Sequence, residues 1–310
     1  MGAPGGGGSE QAALLERLVA AGHLGRTGVA GLYARGEPFE RVRLAFDALV
    51  TRVAAPEAPE RLCFPPLIPR AMLERSGYLR SFPHLAGAVF CFEGDEREAA
   101  RLDELAGAHA DWSALTRMSD MALAPAACYP LYPAIAQRGP LPEGGVTLDT
   151  SDAYVFRREP SEDPARMQIF HMREIVRIGT AEEVLAWRSR WRERAAELLR
   201  SLGLELELAL ASDPFFGRAG RLLASQQREQ ELKWELLAPV AGRATAIASS
   251  NYHQDHLART FSLATADGSA AHTGCMAFGE ERVTLALLCA HGLELSRWPA
   301  AVRDALELDA

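Results

Sequence analysis

The segment Phe156-Arg157-Arg158-Glu159, the polar stretch from Pro160 to Ala165 and the return Arg166-Met167-Gln168-Ile169-Phe170 decide how this chain folds. The runs 153–158 and 168–173 read as two strands joined by a loop, an antiparallel hairpin. Further runs at 205–210, 232–239, 245–249 and 261–264 read as strands separated by turns. Thr180–Leu202 is inserted among them as a long helix, opened by Thr180 with Glu183 three residues on, the spacing of a capping box. Gly279-Glu280-Glu281-Arg282 leads into an apolar helix, Glu280–Ala290, that closes the domain. Strands joined by turns, with helices inserted rather than alternating, predict an α+β fold: an antiparallel sheet flanked by helices, not a doubly wound nucleotide-binding sheet.

Outward from this core, Met1–Ser9, with four consecutive glycines from Gly5, reads as a disordered tail, and 10–310 as one domain. Apolar spacing is helical from Glu10 to Val53 and again from Arg97 to Ala108. Arg61–Pro69 reads as a short strand broken by Pro65, Pro66 and Pro69, suited to a sheet edge or a chain reversal. A composition of 48% hydrophobic and 24% charged residues over 310 is that of a globular chain. The net charge of -8 disfavours a polyanion as main partner. No apolar run approaches the roughly 18 residues of a membrane span, and no secretion signal opens the chain, so a cytoplasmic protein with no membrane partner is expected.

Lys233 is the single lysine among 33 basic residues, and no glycine directly precedes it. A phosphate-binding loop of the type G-x-x-x-x-G-K-S/T is therefore excluded, and a nucleotide triphosphate would have to be handled by arginines. The five cysteines are odd in number and widely spaced, which argues against a disulfide framework. Cys63, Cys91 and Cys289 lie in apolar stretches and read as inert buried side chains. Cys128, in a proline-rich turn, and Cys275, after His272-Thr273-Gly274, stand apart as candidates.

The F-R-x-E segment with its return strand, and the Gly279–Arg282 helix entrance, resemble motifs 2 and 3 of class II aminoacyl-tRNA synthetases. Leu232-Lys233-Trp234-Glu235-Leu236 and Ser249-Ser250-Asn251-Tyr252-His253-Gln254 resemble late core segments of seryl-tRNA synthetase. Phe64-Pro65-Pro66-Leu67-Ile68-Pro69-Arg70, Ser76-Gly77-Tyr78-Leu79 and Ser81-Phe82-Pro83-His84-Leu85 resemble the atypical zinc-dependent seryl-tRNA synthetases and, more closely, their shortened relatives, the amino acid:[carrier protein] ligases.

That resemblance implies a site. Arg157 is similar to the arginine that holds the α-phosphate of ATP and the attacking carboxylate, Arg166 to the loop residue that reaches the γ-phosphate, and Arg282 to the motif 3 arginine. Fixed cations suit the charge that grows on phosphoryl oxygens during such a transfer. The resemblance also has Glu159 accept from the adenine amino group and Phe170 stack on the ring, with Glu235 meeting Mg²⁺ or the substrate amine and Asn251 near the nucleotide. Lys233, where the synthetases have an aspartate, and Ser249 fall in the substrate pocket. Cys128, Glu174 and Cys275 match the family's zinc ligands, one ion per subunit, with His171 and His272 as chemical rivals.

The family also implies the acceptor and the assembly. About 50 residues precede the recognisable core and none follows Ala310, which with the acidic charge disfavours tRNA and favours a phosphopantetheine-bearing carrier protein receiving a small amino acid, glycine first and L-alanine next. The inserted helix has an apolar stripe of Val184, Trp187, Trp191, Ala195 and Leu198, flanked by Arg188, Arg190, Arg192 and Arg194. These arginines either dock an acidic carrier or pair with Glu182, Glu183, Glu193 and Glu197. The motif 1 likeness of the first helices and the Pro65-Pro66 strand implies a homodimer.

Overall fold

The computed structural model of the chain describes residues 7–309. Residues 1–6 of the expected tail lie outside the described residues, and its last three residues open helix α1 (Gly7–Ala20). The continuous helical reading of Glu10–Val53 is corrected by a hairpin, β1 (Leu24–Arg26) and β2 (Tyr33–Arg35), that separates α1 from α2 (Glu37–Ala54). Gly28 and Gly31 make that turn at φ +90 and +77, a region nearly closed to side chains with a Cβ.

After β3 (Glu60–Arg61) the chain leaves the main sheet through Pro65 and Pro66, which have no N–H for a ladder. A separate three-stranded sheet follows, β4 (Leu67–Pro69), β5 (Ala88–Phe92) and β6 (Thr116–Leu123), in the order β4-β6-β5. Between its strands lie α3 (Arg70–Arg75), α4 (Tyr78–Ser81) and α5 (Glu96–Gly107), the last opened by a complete capping box of Asp95 and Glu98. A short helix, α6 (Leu131–Ala136), leads to β7 (Val146–Thr150).

The predicted motif hairpin is β8 (Tyr154–Phe156) paired antiparallel with β9 (Ile169–Gly179), which runs six residues past the Arg173 end expected from the sequence. Helix α7 (Ala181–Ser201) carries the capping box of Thr180 and Glu183. Then come β10 (Glu207–Leu210), α8 (Gly217–Glu229), β11 (Lys233–Val240), β12 (Arg243–Gln254) and α9 (His256–Phe261). The strand expected at 261–264 is not formed: Phe261 ends α9, and Ala264 makes only an isolated bridge to Ala270. The strand lies further on, as β13 (His272–Gly279). Helix α10 (Glu280–His291) begins where expected but does not close the domain, since α11 (Ala300–Leu306) follows.

The main sheet runs β10-β11-β12-β13-β9-β7-β3, with β8 also on β9. Every pairing in it is antiparallel except β3 with β7, which agrees with the α+β reading. Because side chains alternate across a strand, the sheet has two distinct faces. One buries Ile175, Leu236, Ala248, Met276 and Phe278 against α2, α7, α10 and α11. Gly274 sits where α7 crosses β13: a Cβ there would meet Val184 Cγ1 and the Asn251 carbonyl at 2.9 Å each. Arg173 is fully buried on this side, donating to Asp149 and to Asp47 and Thr51 of α2, so its charge is matched rather than stranded. The other face, covered by α6 and α9 through Leu131, Tyr132, Leu257 and Phe261, carries the chemistry.

Candidate functional site

Register assembles that face. Lys233 of β11 stands opposite Asn251 of β12, which stands opposite Cys275 of β13. The next row reads Glu235, Ser249, Ala277 and Glu174 across β11, β12, β13 and β9. Residues paired across adjacent strands share a face, so six of the residues singled out in the sequence lie on one floor. Cys128 reaches it from the turn before α6 and is buried beside Leu131 and Tyr132.

Arg157 stands immediately after β8, and its charge is felt across the floor. It acts on Glu174, Asp213, Lys233, Arg282 and the phenol of Tyr78. Its guanidinium lies 5.6 Å above the centre of the Phe170 ring and its Nε donates to the Pro125 carbonyl at 3.4 Å. Phe170 is half-buried between the two halves of the core, so it is the shelf for Arg157 here. Arg282, in the first turn of α10, donates from Nε to the Ala165 carbonyl at 2.7 Å and from Nη1 to the Ala246 carbonyl at 3.1 Å. It thereby fastens the loop of the hairpin to the sheet. Burial first, then the charge of Arg157, lowers its pKa. Like charges that act on one another in a buried setting are costly unless an anion joins them. Arg166 is half-exposed on the loop, 3.8 Å from Glu159.

Cys128, Glu174 and Cys275 also meet. Cys275 Sγ lies 3.5 Å from Glu174 Oε1, and Asn251 Nδ2 donates to the same sulfur at 3.4 Å. Hydrogen bonding to Cys275 and then burial push the Cys128 thiol well above the usual range. Burial raises the Glu174 carboxyl, and its Oε2 has no hydrogen-bond partner. Among the described residues, no three His, Cys, Asp or Glu side chains already stand in a metal-holding arrangement. The donor set nevertheless fits zinc: two sulfurs and a carboxylate in a dry pocket, one oxygen unpaired. The rival histidines fall on the opposite face by strand parity: His171 is bound to Glu281 at 2.8 Å, and His272 stacks on Tyr252. His253, which sequence reasoning did not weigh, is on the site face with Nε2 3.9 Å from Cys275 Sγ, and burial lowers its pKa to about 4. Cys63 and Cys289 are exposed and Cys91 half-buried, correcting the expectation that all three are buried.

Asp213 was also missed. The turn after β10 brings its Oδ1 to 2.6 Å from Lys233 Nζ, while Glu235 lies 3.2 Å from the same nitrogen. No motif announces a lone aspartate three residues beyond a strand.

The four arginines of α7 do not form the expected docking row. The stripe Val184, Trp187, Trp191, Ala195, Leu198 is buried as predicted, but so is Arg188, which donates to the Glu231 and Leu232 carbonyls. Arg192 lies 4.7 Å over the Trp234 ring and Arg194 pairs with Glu57 at 2.8 Å. Only Arg190 of the four is exposed. The partners are thus indoles, carbonyls and Glu57, not the helix's own glutamates.

Cavities of about 610 and 480 Å³ occur near Arg17 and Cys289 and near Arg35 and Tyr154, away from this floor. Convergent cations, acids and sulfurs, not concavity, locate the site.

No family model matches the chain. Amino acid–[acyl-carrier-protein] ligase 1 of Bradyrhizobium diazoefficiens is 47% identical over 282 residues, 90% of this chain and 85% of that protein. Ligase 2 of the same organism is 45% identical over 283 residues, 91% and 84%. A solved structure of Methanopyrus kandleri seryl-tRNA synthetase with A. aeolicus tRNASec superposes with a TM-score of 0.80 at 21% identity, over 96% of this chain and 60% of that one. The fold is that of class II aminoacyl-tRNA synthetase catalytic domains, and the chain belongs to the amino acid–[acyl-carrier-protein] ligases.

Proposed function

We propose that this protein joins a small amino acid, glycine first and L-alanine next, to ATP and then to the phosphopantetheine thiol of a carrier protein. In the first step a carboxylate oxygen attacks the α-phosphorus and pyrophosphate leaves; in the second the thiol displaces AMP from the aminoacyl-adenylate, giving a thioester. The observation that supports this reading is the single floor on which cross-strand register sets Lys233, Asn251 and Cys275 beside Glu235, Ser249 and Glu174, with Arg157 over Phe170 at its edge.

Arg157 and Arg282 stabilise the charge that builds on the α-phosphoryl oxygens, and their preset positions spare reorganisation at that moment. Arg166 reaches the γ-phosphate once it leaves Glu159, which then accepts from the adenine amino group while Phe170 lies against the ring. Glu235 and Asn251 serve the Mg²⁺ and nucleotide side, and Ser249 lines the floor between them. Cys128, Glu174 and Cys275 would hold zinc, which when bound supplies a Lewis acid for a neutral α-amino group. A homodimer, built through the first helices and the Pro65-Pro66 segment, belongs to the same reading.

With α7 spent on internal contacts, the carrier surface falls to α8. Phe216 at its N-cap and Leu222 and Leu223 within it are 58%, 64% and 42% exposed. Arg221 and Arg228 are exposed beside them, so an apolar patch with basic neighbours faces outward, as an acidic carrier requires. Leu222→Glu is expected to cut transfer to the carrier about tenfold more than it cuts amino-acid-dependent ATP–pyrophosphate exchange, a loss on the order of 1.4 kcal/mol; Arg190→Glu on α7 should cut the two equally.

Exchange measured across a panel of amino acids tests the first step. Glycine and L-alanine should support it and large side chains should not; exchange with serine alone would contradict the reading.

A further inference from the structure

On the floor Lys233 has two carboxylate partners, one on its own strand, Glu235, and one from a different element, Asp213. The lysine side chain is 12% exposed, and its ammonium is held by Asp213 at 2.6 Å and Glu235 at 3.2 Å. Asp213 is itself fixed: its backbone N–H donates to Gln227 Oε1 at 2.7 Å, and Gln227 Nε2 donates back to its Oδ2 at 2.8 Å. Gln227 lies on α8, so the loop between β10 and α8 is stapled to the helix that follows it. Lys233 stands two strands from Cys275 in the same cross-strand row. At about 4.8 Å per strand, this places its backbone roughly 10 Å from the sulfur pocket, the span an amino acid and its side chain would occupy.

A lysine alone on such a floor would be a flexible cation, free to swing to a substrate carboxylate or a phosphate. Anchored from two sides, it becomes a fixed wall. We propose that Asp213 is a positioning residue for substrate choice, holding the Lys233 side chain across the amino-acid pocket so that a substrate with a β-substituent meets an immobile obstacle. The inference rests on the small-amino-acid reading above and adds the group that enforces it.

The test compares kcat/KM for glycine, L-alanine and L-serine in ATP–pyrophosphate exchange for the intact protein and its variants. In Asp213→Ala the glycine-to-serine ratio should fall at least tenfold, through a lower KM for serine and a higher one for glycine. Lys233→Met should lose discrimination to a similar degree, and adding Asp213→Ala to it should change the ratio no further, because the aspartate acts only through the lysine. Gln227→Leu, which removes the staple but neither charge, should move the ratio partway in the same direction. A variant that lowers kcat equally for all three amino acids, or a further loss of discrimination in the double variant, overturns the proposal. Wild-type protein that activates serine alone overturns the small-substrate reading instead, and this inference with it.

Discussion

Arg157→Ala lowers amino-acid-dependent ATP–pyrophosphate exchange by about 1,000-fold, the range over which a single arginine facing a transferring phosphoryl group acts. The expectation follows from position. The Arg157 side chain is half-buried, rests on Phe170 and donates to the Pro125 carbonyl over a long 3.4 Å, so its removal costs the fold little. The loss should fall on kcat more than on KM for ATP, because the charge it meets is greatest in the transition state. Arg157→Lys restores a cation but not the flat fork that spans a phosphoryl oxygen and a carboxylate, so it should recover only part of the rate. Arg282→Ala should be as inactive and also less stable, because the hairpin loop loses its anchor at the Ala165 carbonyl. Exchange within tenfold of wild type in Arg157→Ala would remove this residue from the reaction.

On the zinc reading proposed above, Cys275→Ala is expected to take the metal content from about one ion per chain to a small fraction of that and to lower exchange at least 100-fold. Cys275 is the hub of the sulfur pocket, touching Glu174, Asn251 and His253. Glu174→Gln keeps the shape and should also lose metal, since an amide is a poor zinc ligand. The apolar surroundings of Ala127, Leu131 and Tyr132 favour folding of either variant, so urea midpoints of the metal-free wild type and the variants should agree closely. Metal analysis of purified protein checks the first claim and exchange after chelation checks the second. Zinc retained by Cys275→Ala would contradict the first, and full activity in a protein stripped of zinc would contradict the second.

Much of this was legible along the chain. The α7 stripe follows a helical period, and Val184, Trp187, Trp191, Ala195 and Leu198 are all buried. The hairpin around Arg157 and the entrance to α10 were marked by their flanking polar residues. What failed was local signal too short or too uniform to parse. β13 is covered on both faces, so His272–Gly279 shows no alternation of apolar and polar residues, and the strand was placed at 261–264 instead. α9 is six residues long, less than two turns, and no period emerges from it. The glycines of the β1–β2 turn were overridden by helical spacing on either side. Periodicity told which side of α7 is buried but not what its flanks would touch, and Arg188 turned inward to carbonyls that lie some forty residues away in sequence. Asp213 was invisible for the same reason: its meaning depends on Lys233, which only the β10–β11 pairing brings near.

The central claim is that the activated amino acid goes to a carrier thiol. The most direct measurement is intact-protein mass spectrometry of a phosphopantetheinylated carrier incubated with this protein, ATP and glycine, beside the same carrier lacking its prosthetic group and a parallel charging assay with tRNA. A mass gain of one glycyl group on the modified carrier alone, released by hydroxylamine as a thioester, is the result predicted. Label on tRNA with none on the carrier would contradict it.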